Sequence, residues 1–266
     1  MSDHSKSLLV QGDFLEDVYA IGRWEGNRFK PSSVERLAGG AGNTFANAQA
    51  ILSESFIPVE IEACGGDALE LWRFIDEEDR HPTLMAYLEP TSTQVRPFRN
   101  YPRLDYYDGI LVSDYNKGGA NRLDYVTAKP IAPWIIVDSR YRSTSPILIG
   151  SYAETKIWRC TGLEYNREWA KNFDYVVHTD GPENIIVSSS KGQMMTYSIP
   201  GIDVVDTCGA GDTFDAALAA YLLLTLSEYP KGLSNFDPIV DALEFCVEAA
   251  QDVCTQPYTS ITLSRI

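Results

Sequence analysis

The chain has 266 residues, enough to bury a large core within one α/β domain. With 22 Lys and Arg residues against 37 Asp and Glu residues, its formal net charge of −15 argues against nucleic acid or an anionic membrane surface as the main partner. The five cysteines form neither a Cys-x-x-Cys pair nor a zinc-like spacing, which is typical of a reducing compartment. Because the apolar run at 8–10 is far too short for a signal peptide or a membrane span, the sequence predicts a cytoplasmic protein.

Short apolar runs that end in Gly, Asp, Ser or Thr predict buried strands along the chain. Helical periodicity between several of them indicates parallel strands with crossover helices, and therefore an α/β fold. The predicted strands lie at 8–10, 109–113, 134–138, 175–178 and 185–188, and the predicted helices at 41–53, 67–79, 213–228 and 237–254. Ligands of such sheets bind beyond the carboxyl ends of the strands. Four polar residues hold that position: Asp13, Asp114, Asp138 and Thr179.

Two stretches, 15–36 and 83–99, break this alternation of strands and helices. Apolar and polar side chains alternate in them with a period near two, which is typical of strands with one exposed face. We expect these stretches to form a small lid sheet or, alternatively, edge strands of the main sheet. Their large apolar side chains must pack on a ligand, on the core or on a second subunit. These side chains are Trp24, Phe29, Leu84, Leu88 and Phe98.

A first glycine-rich turn, at 38–43, leads into the predicted helix at 41–53. The bare backbone of Gly39 and Gly40 can approach a ligand rich in hydroxyls, and Asn43 offers both a donor and an acceptor. Turns of this kind are common between a strand and a helix. The turn gains weight from the segment at 12–17 ahead of it, which carries two aspartates at the end of a predicted strand.

A second glycine-rich turn, at 206–212, opens a strongly apolar helix. Gly209 and Gly211 let backbone amides approach an anion, and the helix N-terminus adds unpaired N–H groups. Asp212 at this position suits a base that takes a proton from an alcohol while the amides hold a transferring phosphoryl group. The alternative is an ordinary helix start with Asp212 as the N-cap, and spacing alone favours neither.

Taken together, the motifs resemble the ribokinase/PfkB family of carbohydrate kinases, which transfer the γ-phosphoryl group of ATP to a sugar hydroxyl. The matching motifs span most of the chain in the family's order, and the last is highly specific. They are Gly-Asp-x-x-x-Asp at 12–17, Gly-Gly-x-x-Asn at 39–43, Gly-Gly-Asp at 65–67 and Asp-Thr-x-Gly-Ala-Gly-Asp at 206–212. Within the family, four segments look most like the kinase half of the bacterial heptose-phosphate enzymes: 12–19, 39–47, 93–96 and 113–118.

The resemblance implies a ribokinase-like three-layer sandwich with a mostly parallel central sheet and a small β lid. A single kinase domain would cover residues 1–266, with lid segments near 15–36 and 83–99. The expected partners are a small-molecule sugar or sugar phosphate and ATP, with no nucleic acid and no membrane. Relatives that exchange their lids also imply a homodimer through this region.

The resemblance further implies roles for individual residues. Asp212 matches the catalytic base, and the amides of Gly209, Ala210 and Gly211 match the anion hole. The residues that match or line the sugar pocket are Asp17, Gly39, Gly40, Asn43, Asp114 and Lys117. Lys117 would meet a phosphate on the substrate or, alternatively, remain solvated. The expected cofactors are ATP and Mg²⁺, with a monovalent cation also compatible, and the residues assigned to them are Thr161, Glu164, Thr179, Gly181 and Asn184.

Two positions depart from the family pattern. The family's Asn-x-x-Glu, which helps to organise Mg²⁺ and phosphates, reads Thr161 to Glu164, so the carboxylate stays and acts indirectly on the metal. Asn184 replaces the second glycine of the nucleotide loop, where a left-handed Asn would preserve the turn. The sequence therefore predicts an ATP-dependent kinase of a sugar or sugar phosphate. A nucleoside kinase on the same fold and a catalytically silent sugar- or nucleotide-binding relative are the alternatives.

Overall fold

The fold consists of two sheets and a set of helices in a computed structural model. The structure describes residues 5–53, 55–65, 69–78, 82–88, 107–115, 117, 132–139, 153–226, 233, 237–259 and 261–262. The strands are β1 (Lys6–Gly12), β2 (Phe14–Glu25), β3 (Arg28–Gly40), β4 (Val59–Gly65), β5 (Leu69–Asp76), β6 (Pro82–Leu88), β7 (Gly109–Asp114), β8 (Ala132–Ser139), β9 (Ala153–Thr161), β10 (Tyr175–Asp180), β11 (Asn184–Ser189) and β12 (Met194–Ser198). The helices are α1 (Ala41–Leu52), α2 (Arg167–Ala170), α3 (Ala210–Thr225), α4 (Asp237–Asp241) and α5 (Leu243–Cys254).

The main sheet has eight strands in the order β12-β11-β10-β9-β8-β7-β1-β4. Its six strands β4, β1, β7, β8, β9 and β10 run parallel to one another, and β11 and β12 add an antiparallel edge. Every residue of β7 and β8 is buried, as expected for near-continuous apolar runs covered on both faces. The predicted mostly parallel α/β sheet is therefore confirmed.

The two faces of the main sheet pack into separate parts of the core. Alternate residues point to opposite faces of a strand, so Leu8 and Val10 join one apolar cluster and Leu9 joins the other. The first cluster includes buried side chains of α1, α3 and α5, and the second includes Phe173 and Tyr107. Among the described residues, no helix is long and apolar enough to cross a membrane.

A second sheet of four strands, in the order β3-β2-β5-β6, stands apart from the main sheet. It contains the stretch 15–36, so the prediction of a small separate sheet is confirmed over the alternative of edge strands. Of the stretch 83–99, residues 83–88 form most of β6, and 89–99 lie outside the described residues. The predicted packing of Leu84, Leu88 and Phe98 also lies outside the described side chains.

The helix predicted at 67–79 is wrong, because residues 69–76 form β5 of the small sheet. Apolar residues at 69, 71, 72, 74 and 75 satisfy a helical period as well as an alternating one, and parallel pairing with β2 decides in favour of the strand. Strands β9 and β12 were not predicted, since charged or polar residues interrupt their apolar runs. The predicted helix at 237–254 divides into α4 and α5 around Ala242.

Candidate active site

Asp212 lies in the first turn of α3, where the sequence places a catalytic base. The helix begins at the N-cap Gly209, whose φ of 82° is in the left-handed region that favours glycine. Asp212 is therefore not the N-cap, and the alternative of a purely capping role is wrong for this carboxylate. The first amides of a helix have no carbonyl partner within it, so this turn directs N–H groups and positive dipole charge at one point. The Ala210 amide is partly engaged, since it donates to the Thr207 carbonyl at 3.3 Å.

The Asp212 carboxylate is buried and held from two sides. The Tyr115 hydroxyl donates to Oδ1 at 2.8 Å, and Asn43 Nδ2 donates to Oδ2 at 3.4 Å. Asn47 supports Asn43 through a 3.0 Å hydrogen bond from its Nδ2 to Asn43 Oδ1. Thus the two glycine-rich turns, which are far apart in the sequence, meet at one carboxylate.

Asp13 ties the end of β1 to the segment that follows β7. Its Oδ2 accepts hydrogen bonds from the backbone N–H groups of Tyr115, at 2.7 Å, and Lys117, at 3.0 Å. Asp114 is buried and accepts a 2.7 Å hydrogen bond from the Ser139 hydroxyl at the end of β8. Asp13 and Asp114 therefore organise this edge of the sheet, which is the edge where a ligand is expected.

Asp17 of β2 lies on the side of the small sheet that faces Cys208 and Thr259. A Cβ atom added at Gly39 would lie 2.8 Å from the Asp17 carboxylate, so the two residues are in direct contact. Arg73 Nη2 lies 3.3 Å from Asp17 Oδ1, and the Thr259 hydroxyl donates to Asp17 Oδ2 at 3.4 Å. We call the group of Asp17, Arg73, Thr259 and Asn43 the polar wall; it lies beside Asp212.

Cys208, inside the 206–212 turn, contributes to packing rather than to nucleophilic chemistry. The Tyr19 hydroxyl lies 3.2 Å from its Sγ, and burial raises the pKa of the thiol to about 11. The thiol is therefore protonated at neutral pH, whereas a nucleophilic cysteine needs a lowered pKa.

A buried charged cluster lies directly beneath the turn at 209–211. A Cβ atom added at Gly211 would lie only 2.6 Å from Arg159 Nη2, so the guanidinium touches this turn from below. Arg159 Nη1 is 3.5 Å from Asp138 Oδ2, and Arg159 Nε is 3.5 Å from Asp215 Oδ1. Burial alone would lower the pKa of Arg159, but the carboxylates of Asp215 and Asp138 raise it above its usual value.

On the far side of the turn is a largely apolar cavity of about 380 Å³. Its lining includes Gly211 and Arg159, together with the predicted nucleotide residues Thr161, Thr179 and Gly181. Its apolar part comes from Ile185, Ile199, Ile202, Val204, Phe214 and Val247. An apolar cavity that ends at a helix N-terminus suits a ligand with an aromatic ring at one end and an anion at the other.

The structure places the two segments that depart from the family pattern, 161–164 and the turn before Asn184, in different local geometries. Glu164 turns back so that its Oε2 accepts a 2.8 Å hydrogen bond from the Thr161 amide. Asn184 begins β11 and does not adopt a left-handed backbone, so the expectation that it preserves a glycine-like turn is wrong; Gly181, with a φ of 53°, supplies the left-handed residue instead. Neither Glu164 nor Asn184 is among the residues that line the cavity.

Within the described ranges, no cluster of three or more His, Cys, Asp or Glu side chains could hold a metal ion by itself. Mg²⁺ usually needs only one or two carboxylates, because water and substrate phosphates complete its coordination. The carboxylate of Glu164 and the hydroxyl of Thr161 are oxygen donors of the type it prefers. The donor types of Thr161, which lines the cavity, and of Glu164, which lies behind it, therefore fit a metal that arrives with a phosphorylated ligand.

Sequence reasoning missed four residues of the site: Tyr115, Arg159, Arg73 and Thr259. Tyr115 directly follows Asp114, and this proximity was the only available signal. Arg159 is the one Arg in an apolar run, and a buried charge of this kind indicates a functional position. Arg73 was hidden by the incorrect helix at 67–79, and nothing in the sequence near Thr259 indicates that it meets Asp17.

Comparisons with known proteins agree with this architecture. The family model described as pfkB family carbohydrate kinase matches residues 164–265. A comparison with curated protein sequences gives no match. Ribokinase from Giardia lamblia is 15% identical, with 96% of each chain covered and a TM-score of 0.65.

Two further solved structures have similar folds. Ribokinase from Arabidopsis thaliana, complexed with ribose and ATP, is 16% identical over 96% of this chain and 97% of that chain, with a TM-score of 0.62. A nucleoside kinase from Methanocaldococcus jannaschii is 13% identical, with 96% of each chain covered and a TM-score of 0.57. The chain therefore has a ribokinase-like fold.

Proposed function

We propose that this protein is a PfkB-type kinase that transfers the γ-phosphoryl group of ATP to a hydroxyl of a small-molecule acceptor. The observation that carries the proposal is the position of Asp212 at the start of α3. Its buried carboxylate lies between the polar wall formed by Asp17 and Asn43 and the apolar cavity on the other side of the glycine turn. The match of the family model to residues 164–265, which include this turn, supports the same activity.

The two sides of the turn would hold the two substrates. The apolar cavity would take the adenine ring, and the turn at 209–211 would receive the phosphates through its amides and the α3 dipole. The acceptor would lie against Asp17 and Asn43, with the hydroxyl to be phosphorylated at Asp212.

In the reaction, Asp212 would accept the proton of the acceptor hydroxyl as its oxygen attacks the γ-phosphorus. A new oxygen–phosphorus bond forms, the bond from the γ-phosphorus to the β-phosphate bridging oxygen breaks, and ADP leaves. The turn amides stabilise the charge on the transferring group, because they are already aligned before the reaction. Mg²⁺ would neutralise phosphate charge when bound; Thr161 at the cavity would help to hold it, and Glu164 would act on it indirectly.

Within this activity we infer a sugar or sugar phosphate as the acceptor. Carboxylate, amide and hydroxyl groups converge at Asp17, Asn43 and Thr259, which suits a ligand with several hydroxyls. The sequence resemblance to heptose-phosphate kinases would make the acceptor a phosphorylated sugar, with Lys117 near its phosphate. A nucleoside is the second candidate, because its ribose offers similar hydroxyls and a nucleoside kinase shares the fold.

The proposal is tested by measuring nucleotide binding and then phosphoryl transfer. We expect calorimetry to show ATP binding that strengthens with Mg²⁺, and coupled detection of ADP to show turnover with some members of a panel of sugars, sugar phosphates and nucleosides. ATP binding without turnover on any acceptor would favour a silent relative. Absence of ATP binding would contradict the proposal.

A further inference from the structure

The guanidinium of Arg159 occupies a position at which a buried cation needs an explanation. Its side chain is 6% exposed, yet it lines the cavity and lies against Gly211. A guanidinium is charged at any working pH and is almost never fully buried unless it is paired. Arg159 borders both the cavity and the glycine turn, where a bound anion would give it a further partner.

Its pairing with the neighbouring carboxylates is incomplete. The distances to Asp138 and Asp215 are both 3.5 Å, longer than a charge-assisted hydrogen bond of about 2.7–2.9 Å. Among the described residues, Arg159 Nε has no hydrogen-bond partner, and burial raises the pKa of the Asp215 carboxyl well above its usual value. A buried ion pair with such geometry is a poor source of stability, because desolvation of the charges offsets their attraction.

Negative charge surrounds the turn, so a nearby cation would favour the binding of a nucleotide. Four carboxylates act on Arg159, those of Asp215, Asp138, Glu164 and Asp212. A triphosphate bound at the turn would add further negative charge beside them. The dipole of α3 supplies only about half an elementary charge at its N-terminus, so a guanidinium beneath the turn would add to the positive charge that Mg²⁺ brings to the phosphates.

We propose that Arg159 is a catalytic residue that contacts the γ-phosphoryl group from beneath the turn, and that Asp138 and Asp215 are positioning residues that hold its guanidinium there. The inference rests on the proposed kinase function and goes beyond it, since it places a side-chain cation in an anion hole otherwise built from backbone amides. Donation from Nη2 to an equatorial oxygen would strengthen as charge develops there in transfer.

The test compares two nucleotides that differ only in the γ-phosphoryl group. Binding of ADP and of a non-hydrolysable ATP analogue is measured by calorimetry for the wild type and for Arg159→Lys. The lysine keeps the positive charge, which avoids leaving two buried carboxylates uncompensated, but it lacks the planar fork of donors. Arg23→Lys is the matched control, because the same change is made at an exposed arginine of the small sheet.

We expect Arg159→Lys to weaken binding of the ATP analogue by about tenfold to a hundredfold, as for a lost hydrogen bond to a charged group. ADP affinity should change less than about twofold, because ADP lacks the group that Arg159 contacts. Arg23→Lys should bind both nucleotides as the wild type does. Equal weakening of both nucleotides by Arg159→Lys, or no weakening of either, would overturn the inference.

Asp215→Asn provides a second test, because a purely structural role of Asp215 would not make its effect on nucleotide binding depend on Arg159. If Asp215 acts through Arg159, its change should weaken analogue binding in the wild-type background and have little further effect in Arg159→Lys. Additive losses would contradict the positioning role. A wild type that binds neither nucleotide would contradict the proposed function itself, whereas a wild type that binds both but shows no γ-specific effect of Arg159 contradicts only this inference.

Discussion

Asp212 owes its geometry to a chain of contacts that begins at the end of β1. Asp13 accepts the backbone N–H groups of Tyr115 and Lys117, and this holds the segment after β7 against the sheet edge. The Tyr115 hydroxyl then reaches Asp212 Oδ1 at 2.8 Å. Because one carboxylate oxygen is held by a rigid phenol, the other is directed toward Asn43 and the polar wall.

Tyr115→Phe should lower kcat by roughly tenfold to a hundredfold, since it removes one hydrogen bond to a charged group that must be oriented for proton transfer. The KM for ATP should stay within about twofold, because the phenol does not line the nucleotide cavity. The matched control is Tyr107→Phe, which removes a phenol that donates to Glu62 at 2.6 Å and lies elsewhere on the main sheet. Steady-state kinetics of both variants decide, and unchanged kcat in Tyr115→Phe would refute the positioning role.

A second prediction concerns Gly211. Sequence reasoning attributes its role only to the approach of phosphates, but an added methyl group would also collide with Arg159 Nη2 at 2.6 Å. We therefore expect Gly211→Ala to lose most phosphoryl transfer and also about 1–3 kcal/mol of stability from overpacking. Gly42→Ala is the control, because its methyl group would meet Ala38 at an ordinary 3.5 Å. Thermal unfolding and turnover are both measured, and a Gly211→Ala variant with wild-type activity would contradict this explanation.

At the scale of elements, the small sheet presents a different chemistry on each face. The parallel register of β2 and β5 pairs Tyr19 with Arg73 and Val18 with Trp72. Asp17, Tyr19 and Arg73 therefore share the face of the small sheet that contributes to the polar wall, while Trp72 belongs to the opposite face. This alternation is what brings Asp17 to the acceptor side.

Changes at Asp17 of β2 and Asn43 of α1 should affect the acceptor and spare the nucleotide. Asp17→Asn and Asn43→Ala should each weaken acceptor binding by roughly tenfold or more, because each removes a hydrogen-bonding group from the buried polar wall. ATP affinity should remain within about twofold. Glu70→Gln, on the opposite face of β5, serves as the control. Calorimetric titration of both substrates checks this, and unchanged acceptor affinity in Asp17→Asn and Asn43→Ala would remove these residues from the acceptor site.

The elements that the sequence predicts well are those with a single strong period. The apolar runs of β1, β7 and β8 are short and end in Gly, Asp or Ser, which favours buried strands, and the apolar helix α3 begins near its predicted start. The strand β5 was predicted as a helix because its apolar spacing fits both periods, and only tertiary pairing with β2 distinguishes them.

The candidate site follows the same division between local and long-range information. Asp212 and the turn glycines could be predicted because their chemistry is local to one motif. The contacts of Tyr115 and Arg159 could not, since they depend on Asp212 and Asp215 of α3 and on Asp138 of β8, which only the tertiary fold brings near them.

At the scale of the whole molecule, we expect self-association through the outer face of the small sheet, which is the face opposite Asp17 that carries Trp72. Trp24, Phe29 and Phe74 form an aromatic cluster with ring centroids 5.2–6.4 Å apart, and Trp24 remains 38% exposed. We expect a homodimer through this face at micromolar concentration, and Trp24→Asp should shift it toward the monomer. Phe56→Asp, at a fully exposed aromatic residue outside the sheet, should not. Light scattering gives the mass, and a monomeric wild type would contradict the dimer while leaving the kinase proposal unaffected.

The central claim is that Asp212 takes the proton of an acceptor hydroxyl during transfer from ATP. The most direct test is Asp212→Asn, compared with the wild type in nucleotide affinity, melting temperature and turnover on the best acceptor found. The amide keeps the size of the side chain and one acceptor oxygen for the Tyr115 hydroxyl, but its NH2 group cannot accept from Asn43 and it cannot act as the base. We predict that ATP binding and folding are retained while kcat falls by on the order of 10²–10⁴. Turnover equal to that of the wild type would contradict the account.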